Sequence, residues 1–258
     1  MSEIFRIDNK VAVIIGGTGG IGQALSYGLA EYGARVIVVG TDFSKAVVIA
    51  DDIRNKYKAS EAIAFKVDIT DEQSIMALKN SIIAEFGSID ILVNAHGINI
   101  KRNAVDFNIN DWDRIFQTNV RGTMLTCREF GKCMIEQKKG KIINLSSVRG
   151  VRATDWPGNA GYSATKASID MITRSLASEW AQFNINVNAI APSTVATRFS
   201  ESTLKDPEKL KRFMSNCPLR RIAQPVDLIG TCVFLASSAS DYITGQVIYV
   251  DGGLTAIG

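Results

Sequence analysis

Tyr162 and Lys166 stand four residues apart in Gly161-Tyr-Ser-Ala-Thr-Lys166, and a serine pair, Ser146-Ser147, lies just upstream. On a helix that spacing puts a phenol and an ammonium on one face, one turn apart. A nearby cation favours the phenolate, so the spacing predicts a tyrosine pKa lowered towards neutral pH. Such a phenol can give a proton to a carbonyl or take one from an alcohol. The competing reading of an isolated Tyr-x-x-x-Lys is a solvated helix face, and only partners elsewhere in the chain decide against it.

The elements that must hold this pair are legible as an alternation. Short apolar runs read as strands at Val11–Ile15, Val36–Val39, Ala62–Val67, Ile89–Val93, Lys141–Leu145, Asn186–Ile190 and Gln246–Val250. Several are near-continuous Val and Ile, the composition of strands buried on both faces of a parallel sheet. Longer amphipathic stretches read as helices at Ile21–Tyr32, Ser44–Tyr57, Glu72–Phe86, Trp112–Gln137, Tyr162–Phe183 and Val226–Ala236. Asp71 and Asn110 read as N-caps, and Gly33 and Gly87 as helix stops. Strand–helix repetition predicts an α/β fold: one doubly wound, seven-stranded parallel sheet with helices on both faces, of Rossmann type, over residues 1–258. Residues from about 193 to 218 break the alternation. They read as a substrate loop or lid, with a plain surface excursion as the other reading.

The first strand runs into Gly16-Gly-Thr-Gly-Gly-Ile-Gly22 and then a helix. Glycines there permit a tight turn and close approach of backbone to a pyrophosphate, which the helix N-terminus attracts. A glycine run alone also makes ordinary turns; its place between first strand and helix is what points to a dinucleotide.

Bulk properties exclude several classes. The chain has 258 residues and a net charge of +3, too slight to suggest a nucleic-acid partner. No apolar run is long enough to span a bilayer, and the start lacks a signal-peptide pattern. Cys127, Cys133, Cys217 and Cys232 show no metal-like spacing, so reduced thiols in a cytoplasmic protein are expected. One histidine, His96, argues against a histidine-rich metal site and against a Ser-His-Asp triad; it reads first as packing or a backbone hydrogen bond. No metal is expected.

Taken in order, these motifs resemble the short-chain dehydrogenase/reductase family over essentially the whole chain. The family's three glycines map to Gly16, Gly20 and Gly22. The resemblance implies a catalytic set of Asn119, Ser147, Tyr162 and Lys166, with Ser146 as the alternative serine. Tyr162 would be the general acid or base, Lys166 would tune it and bond the nicotinamide ribose, and Ser147 would bond the substrate oxygen. Asn119 would hold a water linking Lys166 to solvent. It also implies cofactor contacts from Thr18, Gly19 and Ile21 in the turn, and from Thr41 and Asp42 after the second strand. Further contacts would come from Asp68 and Ile69 after the third strand, from Asn94, Ala95 and Gly97 after the fourth, and from Pro192, Val195 and Thr197. A homotetramer pairing its long helices is implied as well.

The departures carry the remaining information. Ala95 and His96 alter the family's Asn-Asn-Ala-Gly segment, and about two extra residues lie between Ser147 and Tyr162. Gly40 occupies the position of the acid that would bond a 2′-hydroxyl, leaving Asp42 as its substitute. The cofactor expected is NAD or NADP, and Asp42 without a basic neighbour tips the choice to NAD. Arg149, Arg152 and Trp156, with Ser147 and Tyr162, are the expected substrate contacts, and Lys101 and Arg102 could face the same mouth. Arginines suit a carboxylate, although solvated loop charges are an equal reading. The substrate resemblance is to gluconate 5-dehydrogenase-like members acting on sugar acids or polyols. A 3-oxoacyl-(acyl-carrier-protein) reductase is the alternative, and a non-catalytic dinucleotide sensor or scaffold is the alternative of another class.

Overall fold

A computed structural model describes residues 3–57, 61–153 and 157–257. Seven strands form one parallel sheet: β1 (Val11–Ile15), β2 (Arg35–Gly40), β3 (Ala62–Lys66), β4 (Ile91–Asn94), β5 (Gly140–Leu145), β6 (Ile185–Pro192) and β7 (Val247–Val250). Their order is β3-β2-β1-β4-β5-β6-β7. The chain reverses its direction of travel across the sheet between β1 and β4, so a crevice opens at the carboxyl ends of those strands.

The Val/Ile runs are continuous because each strand feeds two cores. In β1, Ala12 and Ile14 pack with Leu25, Leu29 and Val36 on one face. Val11, Val13 and Ile15 pack with Ile75, Ile82 and Phe130 on the other. The helices covering these faces are α1 (Gly20–Glu31), α2 (Phe43–Lys56), α3 (Glu72–Phe86), α4 (Ile109–Phe116), α5 (Gly122–Gln137), α6 (Ala160–Trp180) and α9 (Ile229–Ala236). Two short helices, α7 (Glu201–Leu204) and α8 (Pro207–Asn216), follow β6 inside the segment expected to form a lid.

All seven expected strands and the expected helices are present, with two corrections. Asn108, not Asn110, caps α4; its side chain accepts from the Asn110 N–H. The long helix expected from Trp112 to Gln137 is interrupted by a π turn at Gln117–Arg121, between α4 and α5. The wider turn carries the buried Asn119, as π turns often carry functional residues. Asp71 caps α3, and Gly87 ends it in the left-handed conformation, φ 75°.

Inside the sheet a polar network ties β4 and β5 to two helices. Asn94 Nδ2 donates to Asn144 Oδ1 at 2.9 Å, and Thr126 Oγ1 of α5 donates to Asn94 Oδ1 at 2.8 Å. Asn144 Nδ2 donates to Thr173 Oγ1 of α6 at 3.0 Å. All four side chains are buried, so the mutual bonds remove most of the desolvation cost of their polar atoms.

Candidate active site

The glycine turn is built by close backbone approach. A Cβ on Gly22 would lie 2.2 Å from the Gly16 carbonyl oxygen. Gly16 itself has φ +83° and passes within 2.8 Å, measured from its would-be Cβ, of the Ala95–His96 backbone. A Cβ on Gly20 would strike the Thr197 methyl at 2.6 Å, so the loop after β6 lies directly over the turn. Gly19 precedes α1 without making a side-chain cap, leaving first-turn N–H groups for a ligand. Bare backbone and an uncapped helix end together fit a pyrophosphate.

A cleft of about 680 Å³ opens beside this turn. Gly19, Gly20 and Ile21 line it from the turn, and Ala95, His96 and Gly97 from the segment after β4. Ser147, Tyr162 and Lys166 line it, as do Pro192, Val195 and Thr197 from the loop after β6. Gly16, Thr18 and Gly22 lie outside that lining, in the turn's own packing. Thr41, Asp42, Asp68 and Ile69 lie at the carboxyl ends of β2 and β3, on the far side of β1 from Tyr162. That separation matches a ligand long enough to reach from an adenosine end to a reacting end.

Individual placements refine the expected roles. The Asn94 amide is committed to the buried network, so its side chain does not face the cleft. Ile69 is buried, its side chain against Gly122 of α5. Asp68 is exposed, and its Oδ1 accepts from the Thr70 N–H and hydroxyl, which hold its pKa below the usual carboxylate range. Asp42 caps α2, accepting from the Lys45 N–H at 3.0 Å. The glycine at position 40 has a steric cause: a Cβ there would meet the Thr18 hydroxyl at 2.4 Å.

At the reacting end, Ser147 and not Ser146 faces the phenol. Ser147 is the serine that acts on the Tyr162 phenol, lowering its pKa, while its own Oγ donates to the Pro192 carbonyl at 3.4 Å; Ser146 Oγ instead donates to the Lys166 carbonyl at 3.3 Å. Lys166 Nζ donates to the Leu145 carbonyl at 2.6 Å and lies 5.5 Å from the Tyr162 ring centroid. Asn119 Oδ1 accepts from the Ile98 N–H at 2.8 Å; its Nδ2 donates to the Ile98 carbonyl and to Thr165 Oγ1. Both ends of this amide are therefore held by protein groups.

The expected lowering of the Tyr162 pKa is not what the geometry produces. Withdrawal of the hydroxyl from water pushes it up to about 12, while the bond with Ser147 and the charge of Arg149 pull the other way. Lys166 lies against the ring face and bonds a carbonyl, so Arg149 is the cation acting on the phenol. Burial also lowers Lys166 to about 8, opposed by Asp170 one turn later. Desolvation disfavours whichever form is charged, so it moves the two groups in opposite directions.

The expected substrate contacts divide. Arg149 and Arg152 both line the cleft. Arg152 is nonetheless turned to the C-terminal segment, donating to the Leu254 and Ile257 carbonyls, and so acts as a strap. Trp156 lies outside the described residues. Arg102 sits within ion-pair distance of Asp111, at 3.9 Å, and is not part of the lining. Lys101 lines the cleft, donates to Thr203 of α7 at 3.2 Å, and has its pKa lowered by burial, then by Lys209 and Arg149. Lys209 of α8 and Phe199, whose ring centroid is 5.9 Å from that of Tyr162, were not singled out from sequence. Only tertiary placement of the segment after β6 brings them there. Among the described residues no group of acidic, histidine or cysteine side chains could hold a metal.

This fold and this cleft define a dinucleotide-dependent class, and comparison with known proteins names it. A family model described as enoyl-(acyl carrier protein) reductase matches residues 16–255. The chain belongs to this short-chain dehydrogenase/reductase family. It is 37% identical over 259 residues to the 2-dehydro-3-deoxy-D-gluconate 5-dehydrogenase of Dickeya dadantii, covering 98% of each chain. It is 36% identical to the 3-oxoacyl-(acyl-carrier-protein) reductase of Aquifex aeolicus, with 96% of this chain and 98% of that one covered. The crystal structure of a gluconate 5-dehydrogenase from Burkholderia cenocepacia, in complex with NADP and tartrate, superposes with a TM-score of 0.94. It is 33% identical, with 99% of each chain covered.

Proposed function

We propose that this protein is an NAD(P)-dependent oxidoreductase that interconverts a secondary alcohol and a ketone on a sugar acid. The observation that carries the substrate class is the trio of cations from Lys101, Arg149 and Lys209 on a cleft that also holds Ser147 and Tyr162. Three mutually repelling cations are stabilised by an anion, and a carboxylate on a small polyhydroxy substrate supplies one. Lys209 is shared with Asp206, 2.5 Å away, and Arg149 Nη1 also donates to the Ala153 carbonyl at 2.9 Å; with Lys101 these cations supply the carboxylate contacts. The tartrate bound to the Burkholderia gluconate 5-dehydrogenase is a dicarboxylate and suits the same reading.

The dinucleotide supplies or accepts the hydride when bound. In reduction, Tyr162 donates its proton to the substrate oxygen, and Ser147 stabilises the charge developing there. A phenol near 12 is fully protonated at neutral pH and suited to the acid role. In oxidation it must first lose that proton, so the reaction towards the ketone should quicken as pH rises. Lys166 orients the cofactor's ribose and Asn119 holds the segment after β4 against α6. Asp42 at the α2 N-cap would meet the 2′ position of the adenosine ribose, an acid where a 2′-phosphate needs a cation, and this supports NAD. Residues 193–218 act as the lid, and α5 and α6 pair in a homotetramer, a reading supported by the exposure of the apolar Met124 and Met171 on them.

A panel assay tests the reading. NADH and NADPH oxidation is measured with keto-sugar acids, neutral keto-sugars and acetoacetyl thioesters. Preference for the keto-acids with NADH is expected. Preference for the thioesters would shift the assignment to the acyl-carrier reductases, which the Aquifex relative makes the second reading. Cofactor binding without turnover of any carbonyl would leave only a sensor.

A further inference from the structure

His96 stands where similar proteins carry the alanine of Asn-Asn-Ala-Gly, and the mechanism above makes no use of it. Its Nε2 lies 3.2 Å from Thr123 Oγ1 of α5. Thr123 Oγ1 in turn donates to the Asn119 carbonyl at 2.7 Å. A hydroxyl has one proton, and here Asn119 receives it, so Thr123 can only accept from the imidazole. Nε2 therefore carries the hydrogen and Nδ1 is the bare nitrogen. Nδ1 is sealed from solvent without a hydrogen-bond partner. A second proton there would place a new charge beside the Lys166 ammonium, and burial with that repulsion pushes the imidazole pKa down to about 3. The ring is held neutral and in one tautomer.

The ordered chain runs from His96 after β4, through Thr123 on α5, to the carbonyl of Asn119 in the π turn. The Asn119 side chain then bonds Ile98 and Thr165, the residue before Lys166. Gly97, next to His96, passes the same pair: its would-be Cβ lies 3.4 Å from Asn119 Oδ1 and 3.7 Å from Lys166 Nζ. We propose that His96 is a positioning residue for alcohol–ketone interconversion, fixing through Thr123 the carbonyl of Asn119 and with it the seat of Lys166. A π turn replaces i→i+4 bonds by i→i+5 ones, as in the Gly122 N–H bond to the Gln117 carbonyl, so a side-chain donor that also holds the Asn119 carbonyl helps fix its geometry. The inference rests on the reading of Asn119, Ser147, Tyr162 and Lys166 as the catalytic set.

His96 is the one histidine in the sequence, so ¹⁵N-histidine labelling of the intact protein gives a single-site spectrum. A neutral ring protonated at Nε2 and unchanged from pH 5 to 9 is expected. Titration in that range, or protonation at Nδ1, would overturn the proposal whatever the substrate. The kinetic arm uses any substrate the enzyme turns over. His96→Ala and Thr123→Val should each lower kcat about tenfold, the worth of one buried hydrogen bond, with KM and NADH affinity within about twofold. His96→Gln, which keeps a donor, should recover most of kcat. The double variant should be no slower than either single one. Unchanged kcat and pH profile in His96→Ala, or additive losses, would refute the relay. Absence of any turnover would count against the catalytic reading and leave the spectrum to judge the geometry.

Discussion

Replacing Lys166 by methionine should stabilise the protein while abolishing turnover. Burial takes the Lys166 pKa from its ordinary 10.5 to about 8. Each pH unit of that drop corresponds to about 1.4 kcal/mol of preference for the neutral amine in the folded state. At pH 7 the ammonium is present in both states, so the buried charge costs the fold ~3 kcal/mol, with the attraction of Asp170 already included. Methionine fills a similar volume without charge. It leaves the Leu145 carbonyl without its donor, a loss of about 1 kcal/mol. The net gain is ~2 kcal/mol, or roughly 4–8 °C in melting temperature for a chain of this size.

The pH dependence makes the argument specific. The native pKa lies below the unfolded one, so between about 8 and 10.5 the unfolded chain binds the extra proton and the parent gains stability as pH rises. The cost of the lysine is fully present below pH 8 and falls under ~1 kcal/mol by pH 10. Thermal melts of parent and Lys166→Met, compared at pH 7 and pH 10, should show a gap that closes on going alkaline. Other titrating groups are common to both proteins and cancel in the difference. A variant that melts below its parent at pH 7, or a gap that stays constant between the two pH values, would refute the account of Lys166 as a desolvated charge.

Three further outcomes test the rest of the site. Tyr162→Phe should lose about 10²- to 10⁴-fold in kcat, the range for a positioned acid, while NADH still binds as judged by fluorescence quenching. Gly22→Ala should abolish dinucleotide binding in the same titration, because its methyl would sit 2.2 Å from the Gly16 carbonyl oxygen and only displacement of the turn can admit it. Arg149→Met removes a charge that holds the Tyr162 pKa down, so the alkaline limb of the oxidation profile should move to higher pH. The same variant should raise KM for keto-acids about tenfold or more, a loss typical of a charged hydrogen bond, and hardly alter KM for neutral keto-sugars.

Much of this was legible from sequence because it is set locally. A Val/Ile run between two packed faces has few other fates, a glycine at Gly22 is demanded by backbone five and six residues away, and Tyr162 and Lys166 share a face by helical geometry alone. The hydrogen bonds of Arg152 and Asn94 carry no local signal because distant partners choose them, the C-terminal carbonyls and Asn144. Lys209 and Phe199 gave no local signal, since what a segment packs over is decided by tertiary placement. The instructive failure is the phenol. Spacing brings the ammonium near the ring, and from proximity alone a lowered pKa follows. The structure instead points Lys166 Nζ at the Leu145 carbonyl and buries the hydroxyl, so desolvation exceeds attraction and the direction reverses. Which groups meet was a matter of sequence period; how strongly each holds its proton depends on the water they lose and on the direction of each N–H, and those belong to the folded cleft.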